Sequence, residues 1–122
     1  FRSPRADFYF MMGSDAFLDI TTWKHTDQIF KTIKIIVMLR GEWADIDMII
    51  SFVDENLSKG YSFNYMTNVF SHSDRYDIAI YRVPKIDISS SMIRDRIKQC
   101  RSIKGLVPVP VENLIRKRKL YI

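Results

Sequence analysis

Three consecutive serines followed by an arginine are the strongest chemical signal in this sequence. Ser89, Ser90 and Ser91 lie where a helix is predicted to begin, and Arg94 follows three residues later. The unpaired N–H groups at a helix start, with their partial positive charge, favour phosphate binding. Arg94 can add a bidentate pair of hydrogen bonds to phosphate oxygens. N-capping by serine explains the same residues equally well, so on residue type alone the two interpretations are balanced.

A second candidate site follows a short apolar run. Gly13 permits close approach of a ligand to the backbone, and Asp15 just beyond it can accept hydrogen bonds from ribose hydroxyls. An Asx turn or a helix cap is the alternative, and it is favoured when this pair is considered alone. Trp23 stands among polar residues and offers a stacking face for a planar ring, although ordinary packing is the commoner role of a tryptophan.

The histidines and the cysteine show no catalytic or metal-binding pattern. Neither His25 nor His72 has a second His, Cys or carboxylate at a metal-ligand spacing, so we predict no metal site and expect both at the surface. Cys100 falls on an apolar helix face and is assigned to core packing. A single cysteine cannot form an internal disulfide, which fits a reducing cytoplasm.

Length and charge limit the functional class. The chain has 122 residues, enough for one domain with a modest core, and a net charge of +5. Residues 92–122 carry nine Lys and Arg against two Asp and Glu, which suits a phosphate-bearing partner. For the run at 116–119, a solvated helix end is favoured over a binding role. No stretch is long and apolar enough for a membrane helix, and the N-terminus has no signal-peptide pattern.

The predicted elements alternate between strand and helix. Short apolar runs predict strands at 8–12, 33–39 and 78–81. Helical spacing and end signals predict helices at 26–32, with Thr26 or Asp27 as cap, at 42–57, from about 90 to 101, and from about 110. On the last helix Val111, Leu114 and Ile115 form the apolar side. Residues 61–76 show no period and are expected to form a surface segment.

This alternation predicts an α/β fold with a parallel sheet and helices on its faces. Such a sheet binds its ligand beyond the carboxyl ends of its strands. The loops at Gly13–Asp15, at Arg40-Gly41 and at 87–91 are therefore the places where a site is expected.

Taken together, these residues resemble the bacterial nicotinate-nucleotide adenylyltransferases of the nucleotidyltransferase superfamily. The strand and Gly-Ser-Asp at 8–15, followed by Trp23, match the family's hydrophobic strand, Gly-Ala/Ser-Asp and tryptophan. Arg40-Gly41 stands where the family usually has Arg-Pro-Gly, without the proline. Residues 87–94 are close to the family's I-S-S/A-T-x-I-R. The ending, from 102 to Pro108 and then a helix, also matches. The likeness covers most of the chain outside 42–77.

The resemblance implies a role for each matching residue. Gly13 and Asp15 would contact nucleotide ribose, and Trp23 would stack on the nicotinate ring with the Lys24 N–H near its carboxylate. Arg40 would lie close to the active site. The ATP phosphates would be held by Ser89, Ser90, Ser91 and Arg94. The implied reaction joins nicotinate mononucleotide and ATP to give deamido-NAD and pyrophosphate, with Mg²⁺ on the phosphates, in the cytoplasm.

One departure from the family is large. The family opens with a strand and a glycine-rich loop carrying H-x-G-H, and no such motif occurs in these residues. We therefore expect a single partial domain, 1–122, forming the C-terminal half of a doubly wound, Rossmann-like parallel sheet whose N-terminal half is absent. No catalytic residue is assigned within it. The expected consequences are a chain that is inactive alone and an exposed sheet edge.

Several functional alternatives stay open. A related adenylyltransferase would take nicotinamide mononucleotide or phosphopantetheine instead. A non-catalytic nucleotide-binding domain would keep the half-site without turnover. Nucleic-acid binding ranks third, because the aromatic residues are not interleaved with the basic ones. The sequence does not fix the oligomeric state, and a homo-oligomer is one possibility.

Overall fold

A five-stranded sheet with helices against it forms the main body of the described chain. The computed structural model describes residues 6–41, 45–57 and 59–122. The strands in these ranges are β1 (Tyr9–Gly13), β2 (Lys34–Arg40), β3 (Ser62–Asn64), β4 (Val69–Ser71) and β5 (Ile78–Val83). The α-helices are α1 (Ser14–Leu18), α2 (Thr26–Thr32), α3 (Ile46–Asn56), α4 (Ser90–Lys98) and α5 (Val109–Arg118), and a 3₁₀ turn spans Ile20–Thr22.

The sheet is mixed, with strand order β1-β2-β5-β4-β3. β1, β2 and β5 run parallel, with Gly13 opposite Met38 and Val37 opposite Ile80. β3 pairs antiparallel with β4, and β4 pairs antiparallel with β5. The predicted α/β fold is confirmed, and its parallel strands are the three that the apolar runs indicated. The antiparallel part of the sheet is an addition to that prediction.

The prediction of an irregular surface segment at 61–76 is wrong. Both strands of the β3–β4 hairpin lie in it, and Phe70 on β4 is 1% exposed. The Phe70 ring centroid lies 4.6 Å from that of Phe63 and 6.4 Å from that of Tyr61. The hairpin therefore contributes Phe70 to the hydrophobic core and is not an irregular surface segment. Two strands of three residues each contain too few apolar positions to show an alternating pattern.

Helix α3 packs one apolar face into the core beside the sheet. Ile49 and Val53 are each 1% exposed, and the Asp45 side chain caps the helix by accepting a hydrogen bond from the Asp47 N–H at 2.8 Å. The first predicted residues of this helix, 42–44, lie outside the described residues. Helix α2 has its predicted bounds but not its predicted cap. His25 is the N-cap, with φ 55°, and makes no side-chain capping bond.

The Asp27 carboxylate connects α2 to the segment between β4 and β5, and the Tyr61 hydroxyl connects the residue before β3 to that same segment. The Asp27 carboxylate accepts from Arg75 Nε at 3.1 Å and pairs with Lys31 Nζ at 2.7 Å. The hydrogen bonds from Lys31 and Arg75 lower the pKa of Asp27. Tyr61 donates its hydroxyl to the Tyr76 carbonyl at 3.2 Å. Burial raises the pKa of Tyr61 to about 12, so this hydroxyl stays protonated at any physiological pH.

The chain forms two compact units, one with the residues up to Lys85 and the other Ile86–Ile122. The second unit has its own small core around Ile93, Ile103 and Ile115. Ile115 is the one buried member of the apolar side predicted for α5, since Val111 and Leu114 are 41% and 48% exposed.

The assignment of Cys100 to core packing is wrong. Helix α4 ends at Lys98, and Cys100 is exposed with φ 56°. The left-handed backbone turns the chain away from the helix axis, so the helical period no longer applies at this position.

Strand β1 lies at one edge of the sheet. Phe8 and the first three residues of β1, Tyr9 to Met11, are between 40% and 58% exposed, whereas Met12 is 5% exposed. The expected exposed sheet edge is therefore present in the described chain. Backbone groups along such an edge are available to pair with another strand.

Candidate functional site

The carboxyl end of β1 brings three of the sequence-predicted residues together. Gly13 is buried and has φ −71° and ψ 158°, an extended conformation that any residue can adopt. Space is what restricts this position. A Cβ added to Gly13 would lie 2.5 Å from Asp15 Oδ1 and 3.7 Å from Arg40 Nη2. The absence of a side chain thus lets a carboxylate and a guanidinium approach the same point of the backbone.

The side chains of Asp15 and Arg40 are both exposed, and neither side chain has a hydrogen bond or ion pair with another residue in the ranges 6–41, 45–57 and 59–122. Asp15 lies in the first turn of α1, where the helix N-terminus favours a negative charge. The carboxylate is free to accept hydrogen bonds from hydroxyls. The guanidinium is free to donate to oxygen anions. A sugar phosphate presents both hydroxyls and oxygen anions, so it suits the pair of Asp15 and Arg40.

A cleft of about 1010 Å³ opens beyond the carboxyl ends of β2 and β5. Its apolar wall includes Leu39 and Ile49, and its basic side chains are Arg40, Arg82 and Lys85. The position agrees with the rule that open parallel sheets bind ligands at this edge. Sequence reasoning missed Arg82 and Lys85. The rule was applied to this strand at 87–91, but Arg82 lies within β5 and Lys85 lies two residues beyond its end, so the expected loop was placed too far along the chain.

The Arg40-Gly41 loop keeps a defined shape without the family's proline. Gly41 has φ 87°, a left-handed conformation that favours glycine. Its N–H donates to the Val83 carbonyl at 3.2 Å, which continues the β2–β5 pairing by one residue. Arg40 is therefore held at the mouth of the cleft by the sheet itself.

Trp23 stands at the end of the 3₁₀ turn and is 37% exposed. Its ring meets that of Phe10 on β1 edge to face, with centroids 6.2 Å apart. The Trp23 N–H donates to the Ile20 carbonyl at 3.0 Å, and its own carbonyl accepts from the Thr26 hydroxyl at 2.8 Å. The backbone is thus fixed while part of the indole remains accessible. Packing and stacking are both compatible with this arrangement.

The Lys24 N–H has no acceptor in the part of the chain that the structure describes. It follows directly on Trp23, so an acceptor group beside the indole would meet a free backbone donor. A ring carrying a carboxylate has this combination of an aromatic face and an anionic acceptor.

The start of α4 combines a cap with open donors. The Ser89 hydroxyl accepts from the Met92 N–H at 3.1 Å, so Ser89 acts as the N-cap, as one of the two interpretations proposed. Arg94 Nη2 donates to Ser91 Oγ at 3.2 Å. The N–H groups of Ser90 and Ser91 have no acceptor among the described residues. Capping by one serine leaves the next two residues and Arg94 available for an anion.

The predicted residues therefore fall into two groups. Gly13, Asp15 and Arg40 converge at the carboxyl end of β1, with Trp23 and Lys24 after the next turn. Ser89 to Arg94 form the other group at the start of α4, in the second compact unit.

His25 is exposed, as predicted, whereas His72 is half-buried and its prediction as a surface residue is wrong. Its ring packs on Tyr61 with centroids 4.8 Å apart. His72 Nδ1 accepts from the Asp74 N–H at 2.9 Å, which leaves Nε2 to donate to the Lys59 carbonyl at 3.1 Å. These contacts give His72 a structural role.

No group of three His, Cys, Asp or Glu side chains within the described ranges is arranged to hold a metal ion. Across these same ranges, every helix is too short or too polar to cross a membrane.

Two of the known proteins similar to this chain carry the same enzymatic name. A relative from Geotalea daltonii, named probable nicotinate-nucleotide adenylyltransferase, is 32% identical over 97% of this chain and 54% of its own length. A protein of the same name from Clostridium tetani is 31% identical over 97% of this chain and 52% of its own. The chain thus spans about half the length of these curated relatives.

The fold is also found in a solved structure. The nicotinic acid mononucleotide adenylyltransferase of Plasmodium falciparum, complexed with NaAD, superposes with a TM-score of 0.59 and 21% identity, over 97% of this chain and 50% of that one. At this identity the likeness concerns the fold alone. The cytidylyltransferase-like family matches residues 1–96, and the chain belongs to that family.

Proposed function

We propose that this chain provides the nicotinate- and ATP-phosphate-binding part of an enzyme that transfers the adenylyl group of ATP to nicotinate mononucleotide. The products are deamido-NAD and pyrophosphate, and the reaction belongs to NAD biosynthesis in the cytoplasm. The observation that carries the proposal is the convergence of Asp15 and Arg40 on the backbone of Gly13. Family membership and the shared name of the relatives support it.

The nicotinate nucleotide occupies the β1 side of the site in this proposal. The Asp15 carboxylate accepts hydrogen bonds from ribose hydroxyls, and Gly13 lets the sugar approach the backbone. The accessible part of Trp23 stacks on the nicotinate ring, and the free Lys24 N–H donates to the ring's carboxylate. Arg40 adds a positive charge at the mouth of the cleft, and this charge attracts the phosphate groups of the substrates.

The ATP phosphates lie at the start of α4. The open N–H groups of Ser90 and Ser91, the Ser89 and Ser91 hydroxyls and the Arg94 guanidinium hold their oxygens. Mg²⁺ would come bound to ATP, where it would neutralise phosphate charge.

The reaction needs positioning and charge stabilisation but no covalent intermediate with the protein. A phosphate oxygen of nicotinate mononucleotide attacks the α-phosphorus of ATP, a new P–O bond forms, and the bond to pyrophosphate breaks. The fixed donors at α4 stabilise the negative charge that builds on the departing pyrophosphate.

Pyrophosphate release with three acceptors tests this function. The polypeptide encoded by the complete gene is incubated with ATP, Mg²⁺ and either nicotinate mononucleotide, nicotinamide mononucleotide or phosphopantetheine. We expect release with the nicotinate compound at a rate at least tenfold above the other two. Preference for another acceptor would identify a related adenylyltransferase. ATP binding without release for any acceptor would identify a non-catalytic nucleotide-binding domain.

Matched variants connect the activity to this chain. Asp15→Asn and Arg94→Gln are expected to reduce turnover strongly, because each removes a charged group from one of the two binding regions. Lys104→Gln is the control, since Lys104 is exposed in a separate turn of the second unit. Equal loss in all three variants would contradict the assigned site.

A further inference from the structure

The second compact unit contains a cavity that the proposed adenylyl transfer does not use. It has a volume of about 260 Å³. Its lining comes from residues 97–103, at and after the end of α4, and from residues 115–122, in and after α5. The aliphatic part of this lining, the floor of the cavity, consists of Ile97, Ile103, Ile115, Leu120 and Ile122. Among the described residues, no aromatic side chain lines it. An aliphatic chain therefore fits this floor better than a planar ring, which gains from aromatic stacking.

The rim of the cavity carries one sign of charge. Lys98, Arg101 and Arg116 line it, and no acidic side chain from the described part of the chain does. Arg116 is paired with Glu112, Nη2 to Oε1, at 2.6 Å. Lys98 and Arg101 are exposed and have no ion-pair partner in the portions of the chain that the structure describes. Two unneutralised cations beside an apolar floor select an anionic group attached to an apolar body.

Cys100 lies at the mouth of the cavity, between the two cations in sequence. Its thiol is exposed, and it is the single cysteine of the chain. Cys100 therefore reports on the cavity without interference from another thiol.

The volume sets the size of the occupant. At about 30 Å³ per water-sized group, the cavity holds a molecule of roughly nine heavy atoms. We propose that this cavity binds a medium-chain aliphatic carboxylate, with the chain against the isoleucine and leucine floor and the carboxylate at Lys98 and Arg101. This binding site is separate from the proposed adenylyl-transfer residues and stands or falls independently of them.

Protection of Cys100 from alkylation tests the proposal on the 122-residue chain. The rate of reaction with N-ethylmaleimide is measured with octanoate, with octylamine and with acetate. We expect octanoate to slow alkylation at least fivefold at saturation. Octylamine has the wrong charge and acetate lacks the chain, so both should leave the rate within twofold. Equal protection by octylamine, or none by octanoate, would overturn the proposal.

Charge variants test whether the cations of the rim contribute to octanoate binding in addition to the apolar floor. Lys98→Gln combined with Arg101→Gln should weaken octanoate binding by about 5–10-fold, because both exposed cations that pair with the carboxylate are removed. The control Lys104→Gln, a cation outside the cavity lining, should bind as the unchanged chain does. Circular dichroism checks that the variants are folded. Unaltered octanoate protection in the double variant would refute the role of the cations.

Isoleucine methyl shifts provide a second measurement that does not depend on thiol chemistry. Octanoate should shift the NMR signals of Ile97, Ile103 and Ile115 but leave Ile35 of the sheet core unchanged. If Cys100 instead becomes protected with rising protein concentration and no added carboxylate, a second copy of the chain covers the cavity and the proposal fails.

Discussion

Replacing Gly13 with alanine fills space at the candidate site while leaving the stability of the fold nearly unchanged. The φ of −71° and ψ of 158° suit alanine, so the backbone is not strained. The new methyl group would stand 2.5 Å from Asp15 Oδ1, whereas ordinary contact begins at 3.4 Å. The carboxylate must therefore move by about 1 Å, a displacement sufficient to break a hydrogen bond of normal length.

The expected effect follows from the proposed role of Asp15. Losing one hydrogen bond to a charged group costs about 1.5–3 kcal/mol, which raises the Kd for the nucleotide by about 10–100-fold. The free energy of unfolding should change by less than about 1 kcal/mol, because alanine also restricts the unfolded chain. Isothermal titration with nicotinate mononucleotide and with ATP measures the first quantity, and chemical denaturation measures the second.

A second glycine supplies the matched control. Gly105 has φ 76° and nothing within 4 Å of an added Cβ. Gly105→Ala should therefore destabilise the protein by about 1 kcal/mol through backbone strain and leave nucleotide affinity unchanged. If Gly13→Ala binds both nucleotides within twofold of the unchanged protein, Asp15 does not hold a ribose.

Three further substitutions test other parts of the structure. Trp23→Ala should weaken binding of nicotinate mononucleotide by about tenfold, measured by titration, since stacking on one ring is worth about 1–3 kcal/mol; an unchanged affinity would assign Trp23 to packing. Phe70→Ala should lower the free energy of unfolding by about 3–5 kcal/mol, whereas Met66→Ala at the hairpin tip, where Met66 is 93% exposed, should change it by under about 0.5 kcal/mol. Equal effects in denaturant titrations would mean that the hairpin adds nothing to the core. The folded pKa of Tyr61 is raised to about 12, so its contribution to stability is complete below pH 10 and is lost as the pH rises towards 12. Tyr61→Phe should therefore lose less stability than the unchanged protein between about pH 10 and 12. An unshifted Tyr61 in an ultraviolet titration of tyrosinate would contradict this effect of burial.

The fold could be predicted where apolar residues are continuous. β1, β2 and β5 are largely apolar runs of five to seven residues, and the run itself marks them. The β3–β4 hairpin could not be found in this way, because its burial rests mainly on Phe70. Periodicity also failed beyond a helix end, as Cys100 shows, since the left-handed turn that stops α4 leaves no mark in residue type.

The residues of the candidate site could be selected from the sequence, but their arrangement in space could not. Asp15 and Arg40 were both selected from motifs, yet they are 25 residues apart in the sequence. Their meeting at Gly13 depends on the β1–β2 register, which places Gly13 opposite Met38. A one-residue change of register would turn the neighbouring side chains to the other face of the sheet, and residue type alone does not fix that register.

The uncovered side of β1 also affects how this protein can be measured. Four exposed apolar side chains, from Phe8 to Met11, accompany an edge that pairs with no further strand among the described residues. Two copies could join these edges about a two-fold axis, each satisfying the other. Folding and association then become linked equilibria, and a melting temperature depends on protein concentration. Stability comparisons between variants therefore require equal concentrations, because dilution alone would alter the result.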